Sequence, residues 1–279
     1  MSPLRLFGLT AFAMTAFAAN SLLCRLALKD GHADPASFTS LRLVSGALVL
    51  WLLVGSGGRR RVRGGDWASA LALFAYAAAF SYAYISLPAG TGALLLFGAV
   101  QATMLLAGLR AGERLSATQG VGLALALFGL VFMLLPGLAA PPLLGAALML
   151  AAGIAWGVYS LRGRKGADPA ATTTGNFLRA APFALAVSVL LLPRLHVDLT
   201  GTGYALASGA LASGLGYVVW YAALKGLSAT RAAVVQLSAP VIAAFGGVLL
   251  LGESVTPRLL VASVAILGGV ALAVTKRRT

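Results

Sequence analysis

Long apolar runs alternate with short polar breaks along nearly the whole chain, and each run has about the 20 residues a helix needs to cross a bilayer. Bounded by charges, Pro or Gly, the runs predict helices over residues 3–28, 36–55, 67–86, 90–110, 116–135, 142–161, 172–193, 200–221, 227–251 and 257–275. The division between the third and fourth rests on Leu87-Pro88-Ala89-Gly90, where Pro88 and Gly90 favour a turn. The expected fold is an all-α integral membrane protein with ten transmembrane helices. Arg5, the apolar stretch after it and Ala16-Phe17-Ala18-Ala19 have the outline of a cleaved secretory signal. The run continues to Leu28 and further spans follow, so it reads as a retained first helix.

Composition supports this class. Of 279 residues, 59% are hydrophobic and 10% charged, with a mean hydropathy of +0.92, against roughly 25% charged residues in soluble domains. Ten spans leave no room for a separate soluble catalytic domain. A net charge of +14 would suggest nucleic acid in a soluble chain. Here the cations cluster in short loops, so no nucleic-acid partner is expected and the charge instead orients the protein. Arg5, the cluster Arg59, Arg60, Arg61 and Arg63, Arg110 and Arg114, Arg162, Arg164 and Lys165, Lys225 and Arg231, and the tail Lys276, Arg277 and Arg278 fall on one side. That is 15 of the 21 basic residues, which places both termini in the cytoplasm. Lys29, Arg194 and Arg258 fall on the other side, and Arg25, Arg42 and Arg179 lie within helices. The positive loops also suit contact with anionic membrane lipid. Cys24 is the single cysteine, so an intramolecular disulfide and a cysteine metal cluster are excluded. No metal or cofactor is expected.

The chain repeats itself. Ala33-Asp34-Pro35-Ala36 followed by Leu41-Arg42 returns as Ala167-Asp168-Pro169-Ala170 followed by Leu178-Arg179. Gly112-Glu113, with Gly129 in the helix beyond, returns as Gly252-Glu253 with Gly269 at the same spacing. Two five-helix halves follow, residues 1–138 and 139–279. An odd number of spans per half inverts the second relative to the first, an arrangement common in secondary transporters with a midplane site.

The stretch Ala223-Leu224-Lys225-Gly226-Leu227-Ser228-Ala229-Thr230-Arg231-Ala232, running to Ala239-Pro240-Val241 and then Leu250-Leu251-Gly252-Glu253, resembles the EamA-type repeat of the drug/metabolite transporter superfamily. The first half carries a weaker copy, with Arg42 in its second helix, Ala111-Gly112-Glu113-Arg114-Leu115 between its fourth and fifth, and Gln101 near the place of Pro240. The resemblance implies a ten-helix, multi-pass carrier of the bacterial inner membrane that moves small metabolites, often outward. Within the superfamily the best-known branch that the chain resembles is the YddG-type exporters of aromatic and other amino acids. Efflux of drugs, nucleobases or sugars is the alternative cargo.

All seven carboxylates, Asp30, Asp34, Asp66, Glu113, Asp168, Asp198 and Glu253, fall in loops or at helix ends. Proton-coupled carriers commonly use an intramembrane Asp or Glu, so facilitated diffusion is expected. Glu113 and Glu253 stand just before helices, where a carboxylate suits the exposed N–H groups. His32 and His196 read as outer-loop surface residues. Arg42 and Arg179, one to two turns inside their helices, have two readings: snorkelling with a structural or gating role through helix-end carbonyls, or a grip on a substrate carboxylate.

Aromatic residues give the clearest pattern. Tyr76, Phe80 and Tyr84 repeat every four residues in the third helix, and Tyr217, Trp220 and Tyr221 lie in the eighth. They fit either an interfacial belt or a central cavity, and Trp156 and Tyr159 join them on depth. Asn20, Ser21, Gln101, Asn176, Ser208, Ser213 and Gln236 need partners or water inside hydrocarbon. With the aromatics they describe a mildly polar pocket for a neutral or zwitterionic solute. Gly153 and Gly157 permit close helix approach. A membrane enzyme acting on lipid would show clustered carboxylates, a His-rich site or a Ser/His pair, and the sequence has no such cluster.

Overall fold

A computed structural model describes residues 2–56, 64–110, 112, 116–137, 140–163, 168–227 and 235–274. Their helices are α1 (Pro3–Lys29), α2 (Pro35–Ser56), α3 (Trp67–Ala83), α4 (Ala89–Arg110), α5 (Ala117–Leu134), α6 (Leu143–Gly163), α7 (Pro169–Leu190), α8 (Leu199–Leu224), α9 (Ser238–Leu251) and α10 (Pro257–Val274). Among the described residues, α1, α2, α4, α5, α6 and α8 are long and apolar enough to cross a membrane. Helices α3, α9 and α10 are apolar but shorter, and α7 carries Thr173, Thr174, Asn176 and Arg179 among its apolar residues. The basic residues 59–61, 63, 114, 164, 165, 231 and 276–278 and the carboxylate Glu113 lie outside the described residues.

The boundaries follow from capping chemistry. Asp66, Asp168 and Asp198 accept backbone N–H groups at the first turns of α3, α7 and α8, and Ser116 and Gln119 form a capping box on α5. Asp66 is held down to about 2 by the Ser69 hydroxyl and backbone N–H, with Arg162 adding its charge. Gly201 and then His32 lower Asp198 in the same way. The turn expected at Leu87–Gly90 separates α3 from α4. Of the helix expected over 227–251, residues 228–234 lie outside the described residues; residues 235–236 are helical, a turn at Leu237 interrupts, and α9 runs from Ser238. Pro240 accounts for the interruption, because it has no N–H to return to the carbonyl of Gln236.

Helix α8 is not a uniform α-helix. It is α-helical over Leu199–Leu206, winds as a π-helix over Ala207–Leu215, and returns to α-helix over Gly216–Leu224. Within this wider winding the missing Cβ of Gly209 lets α8 lie against the Arg42 carbonyl and the Ser45 hydroxyl of α2.

The packing crosses the chain's midpoint. Helix α1 lies against α8 and α9, whereas α6 lies against α3 and α4. Helix α2 pairs with α7 and α8, and α5 pairs most extensively with α10. Glycines set the closest approaches. Gly153 and Gly157 of α6 face the backbone and small side chains of α4 at Leu96, Ala99, Val100 and Thr103. Gly122 of α5 and Gly269 of α10 meet back to back. The apolar side chains left outside the bundle, among them Phe128, Val131, Phe245, Leu249 and Val264, form the lipid-facing surface expected of a multi-pass membrane protein.

Candidate substrate site

Five helices converge on a small central cavity of ≈ 20 Å³, room for about one water. Its wall is Phe17 and Asn20 from α1, Tyr76 and Phe80 from α3, Leu96 and Phe97 from α4, Trp156 from α6, and Ala212 and Tyr217 from α8. The rings form one connected set. Trp156 lies 4.8 Å from Tyr76 and 5.0 Å from Tyr217 between centroids. Tyr76 lies 5.4 Å from Phe80, and Phe17 meets Tyr217 edge-on at 5.9 Å. The four-residue step on α3 puts Tyr76 and Phe80 on one face, which explains why both reach the wall.

Arg42 stands directly behind that wall. Its guanidinium carbon is 5.1 Å from the Tyr76 ring centroid and 5.0 Å from that of Phe80. Nη2 donates to the Tyr76 hydroxyl at 2.9 Å and Nε to Ser213 at 3.3 Å, while Nη1 has no hydrogen-bond partner. Arg42 is 1% exposed, so it does not snorkel as its depth in the sequence suggested. The packing of α8 and α3 over α2 closes its route to the surface. Asn20 is locked between the two halves of the sequence: Nδ2 donates to the Tyr76 hydroxyl at 3.2 Å and Oδ1 accepts from Ser208 at 2.5 Å. Ser208 and Ser213 are five residues apart, and the i→i+5 winding of the π segment brings them to the same side of α8.

The other expected site residues are more scattered. Tyr159 is buried against Trp156 at 5.4 Å, and Trp220 meets Phe17 edge-on at 5.9 Å; neither borders the cavity. Gln101 is buried one turn beyond Phe97 on α4, with its amide nitrogen unpartnered. Tyr84 is fully buried at the end of α3, where its hydroxyl donates to the Ala89 carbonyl at 3.2 Å. Asn176 accepts from the Asp66 backbone N–H at 3.0 Å, which ties α7 to the start of α3. Gln236 is half-buried just before α9. Tyr76 reaches the wall on the aromatic face that the four-residue step of the third helix marks out, whereas Phe17 is a wall residue that the aromatic pattern did not single out. Phe17 stands three residues before Asn20, a helical spacing that would have paired them.

Both ends of the bundle carry polar ties that join distant parts of the chain. At the end reached by the C-terminus of α1, His32 Nδ1 lies 2.7 Å from Asp198 Oδ2, and Asp34 accepts the His196 N–H at 2.7 Å. Glu253 also acts there. Its two oxygens accept the Ala89 N–H at 3.0 and 2.8 Å, and one lies 3.5 Å from Arg25 Nε. Glu253 thus caps α4, not the following helix as its position suggested; Thr256 serves α10 by accepting from Leu259 N–H. At the opposite end Arg162 contacts Asp66 at 2.8 Å, and Arg179 donates to the carbonyls of Gly64 and Gly175, both at 2.9 Å. A larger pocket of ≈ 360 Å³ opens beside Arg25, Lys29 and Glu253. Its charges are already engaged with one another or, in the case of Lys29, with the Leu251 carbonyl.

The model of the EamA-like transporter family matches this sequence twice, over residues 6–135 and 143–275. The chain belongs to the EamA-like transporter family. It is a transporter, not an enzyme. An uncharacterised protein of Pseudomonas aeruginosa is 60% identical over 273 residues, spanning 96% of this transporter and 94% of that protein. A protein of Streptantibioticus cattleyicolor described as a probable terminal-alkyne amino-acid exporter is 31% identical over 264 residues, spanning 90% and 86% respectively. An uncharacterised transporter of Bacillus subtilis, YoaV, is 23% identical over 261 residues. A crystal structure 20% identical to this transporter superposes with a TM-score of 0.68 over 98% of each chain, which supports the fold.

Proposed function

We propose that this transporter carries amino acids, aromatic ones foremost, outward across the bacterial inner membrane by facilitated alternating access, with Trp156 and its neighbours as the binding surface. The observation that carries the reading is the ring set of Trp156, Tyr76, Phe80, Tyr217 and Phe17 closed around one central cavity. Ring pairs at these separations favour a flat guest. The amino-acid description of the 31% identical relative supports the cargo class.

The mechanism rests on two inverted five-helix repeats, 1–138 and 139–279, with ten spans and cytoplasmic termini. The packing supports this symmetry, because α1 against α8 and α9 mirrors α6 against α3 and α4. The two family matches divide near the same point. The ties His32–Asp198 and Arg162–Asp66 are counterparts, each joining the N-cap aspartate of one half to a nitrogen-bearing side chain of the other. Alternating access opens one end while the other stays tied. The described carboxylates stay at helix ends, so proton flow is not required.

In proteoliposomes, counterflow of labelled phenylalanine should saturate, and Trp156→Ala should raise the half-saturating concentration about tenfold or more by removing the central ring. Unchanged counterflow in that variant would overturn the assignment of the cavity.

A further inference from the structure

The polar groups around the cavity are one-sided. Arg42 is cationic at any physiological pH, and its Nη1 is buried without a partner. The Tyr76 hydroxyl already accepts from Arg42 and Asn20, so its own O–H remains to donate. Both ends of the Asn20 amide are taken, by Tyr76 and Ser208. Among the described carboxylates, Glu253, Asp198 and Asp66 meet Arg25, His32 and Arg162, Asp34 and Asp168 cap helices, and Asp30 stands at the end of α1, all away from the cavity wall. Among the described residues the site therefore holds spare donors and a buried positive charge, and no charged acceptor to receive an ammonium group. A buried cation without a counter-ion is costly, and a ligand anion is the group that would relieve it.

We infer that the cavity recognises a carboxylate anion with a flat apolar body, held by the Tyr76 hydroxyl and by the positive charge of Arg42 directly behind it, and that an α-ammonium group on the ligand is dispensable. This rests on the cavity being the substrate site and goes further: aromatic monocarboxylates without an amine belong to its ligand class. Such an anion leaves the Arg42 site electrically neutral, whereas a zwitterion leaves one net positive charge. Stacking on Trp156 and Tyr217 supplies the remainder of the recognition.

Three probes that share one ring separate the two charged ends: L-phenylalanine, 3-phenylpropanoate, which lacks the amine, and phenethylamine, which lacks the carboxylate. Thermal stabilisation of the purified wild-type protein is measured with each, beside competition against phenylalanine counterflow. The expected result is binding of the acid within about threefold of phenylalanine, with the amine weaker by about tenfold or more, as loss of charge-assisted hydrogen bonds dictates. Arg42→Gln should erase the preference for acid over amine, and Arg42→Lys should keep it. If Arg42→Gln does not fold, the wild-type comparison decides alone. Equal or stronger binding of phenethylamine would overturn the inference, as would binding of phenylalanine without 3-phenylpropanoate. Stabilisation by 3-phenylpropanoate with no phenylalanine transport would uphold the carboxylate site while removing amino-acid transport. Failure of all three probes to bind would remove both.

Discussion

Gly122→Val will yield little or no monodisperse protein, whereas Gly120→Val, two residues away on the same helix, will purify like the wild type. A Cβ on Gly122 would lie 2.5 Å from the Gly269 carbonyl oxygen, with the Ala273 amide and Leu272 carbonyl carbon also in its path. These are backbone atoms and cannot rotate aside. The same interface is tight from the other side, where a Cβ on Gly269 would lie 2.5 Å from the Ala126 nitrogen. Overpacking usually costs about 1–3 kcal/mol, and a clash between two backbones, with two further methyl groups from valine, exceeds that range. Gly120 has no atom within 4 Å of its ideal Cβ. Size-exclusion profiles and melting temperatures of the two variants provide the comparison. Equal behaviour would show that α5 and α10 are not pressed together as described.

Glu253→Ala should lower stability by about 3 kcal/mol, near the lower end of the range for breaking a buried pair. Its carboxylate serves two orphaned groups together, the Ala89 N–H at the start of α4 and the Arg25 guanidinium. The side chains of Arg25 and Glu253 are 13% and 12% exposed, so water compensates little. Arg25 retains its bonds to the carbonyls of Tyr84 and Ile85, 2.9 Å each, but its charge loses the counter-ion. The positive φ of Gly252, 63°, turns the chain so that Glu253 reaches back to α4. Denaturation in mild detergent reads the effect, and a loss below about 1 kcal/mol would place Glu253 among exposed pairs of small worth.

Much of this architecture was legible because span length and capping chemistry are local. Apolar runs bounded by Asp, Ser and Pro gave most helix boundaries within a few residues. The aromatic step on α3 likewise needed only the helical period. The features that escaped depend on what packs against what. Of the two readings open for Arg42, snorkelling is the one its burial removes, because sequence depth says nothing about the helices stacked over its end. Ser208 and Ser213 reach Arg42 and Asn20 through a π-helix, which a 3.6-residue period cannot anticipate. Asn176 and Tyr84 have the composition of pocket residues, yet their hydrogen bonds close helix ends. Glu253 does cap a helix, but a helix distant in sequence.

Uptake of labelled phenylalanine, tryptophan, threonine and methionine into proteoliposomes, with and without an imposed proton gradient, tests the central claim most directly. Saturable uptake of phenylalanine and tryptophan, indifferent to the gradient, is the expected result. Absence of uptake for all four, or uptake that requires the gradient, would contradict it.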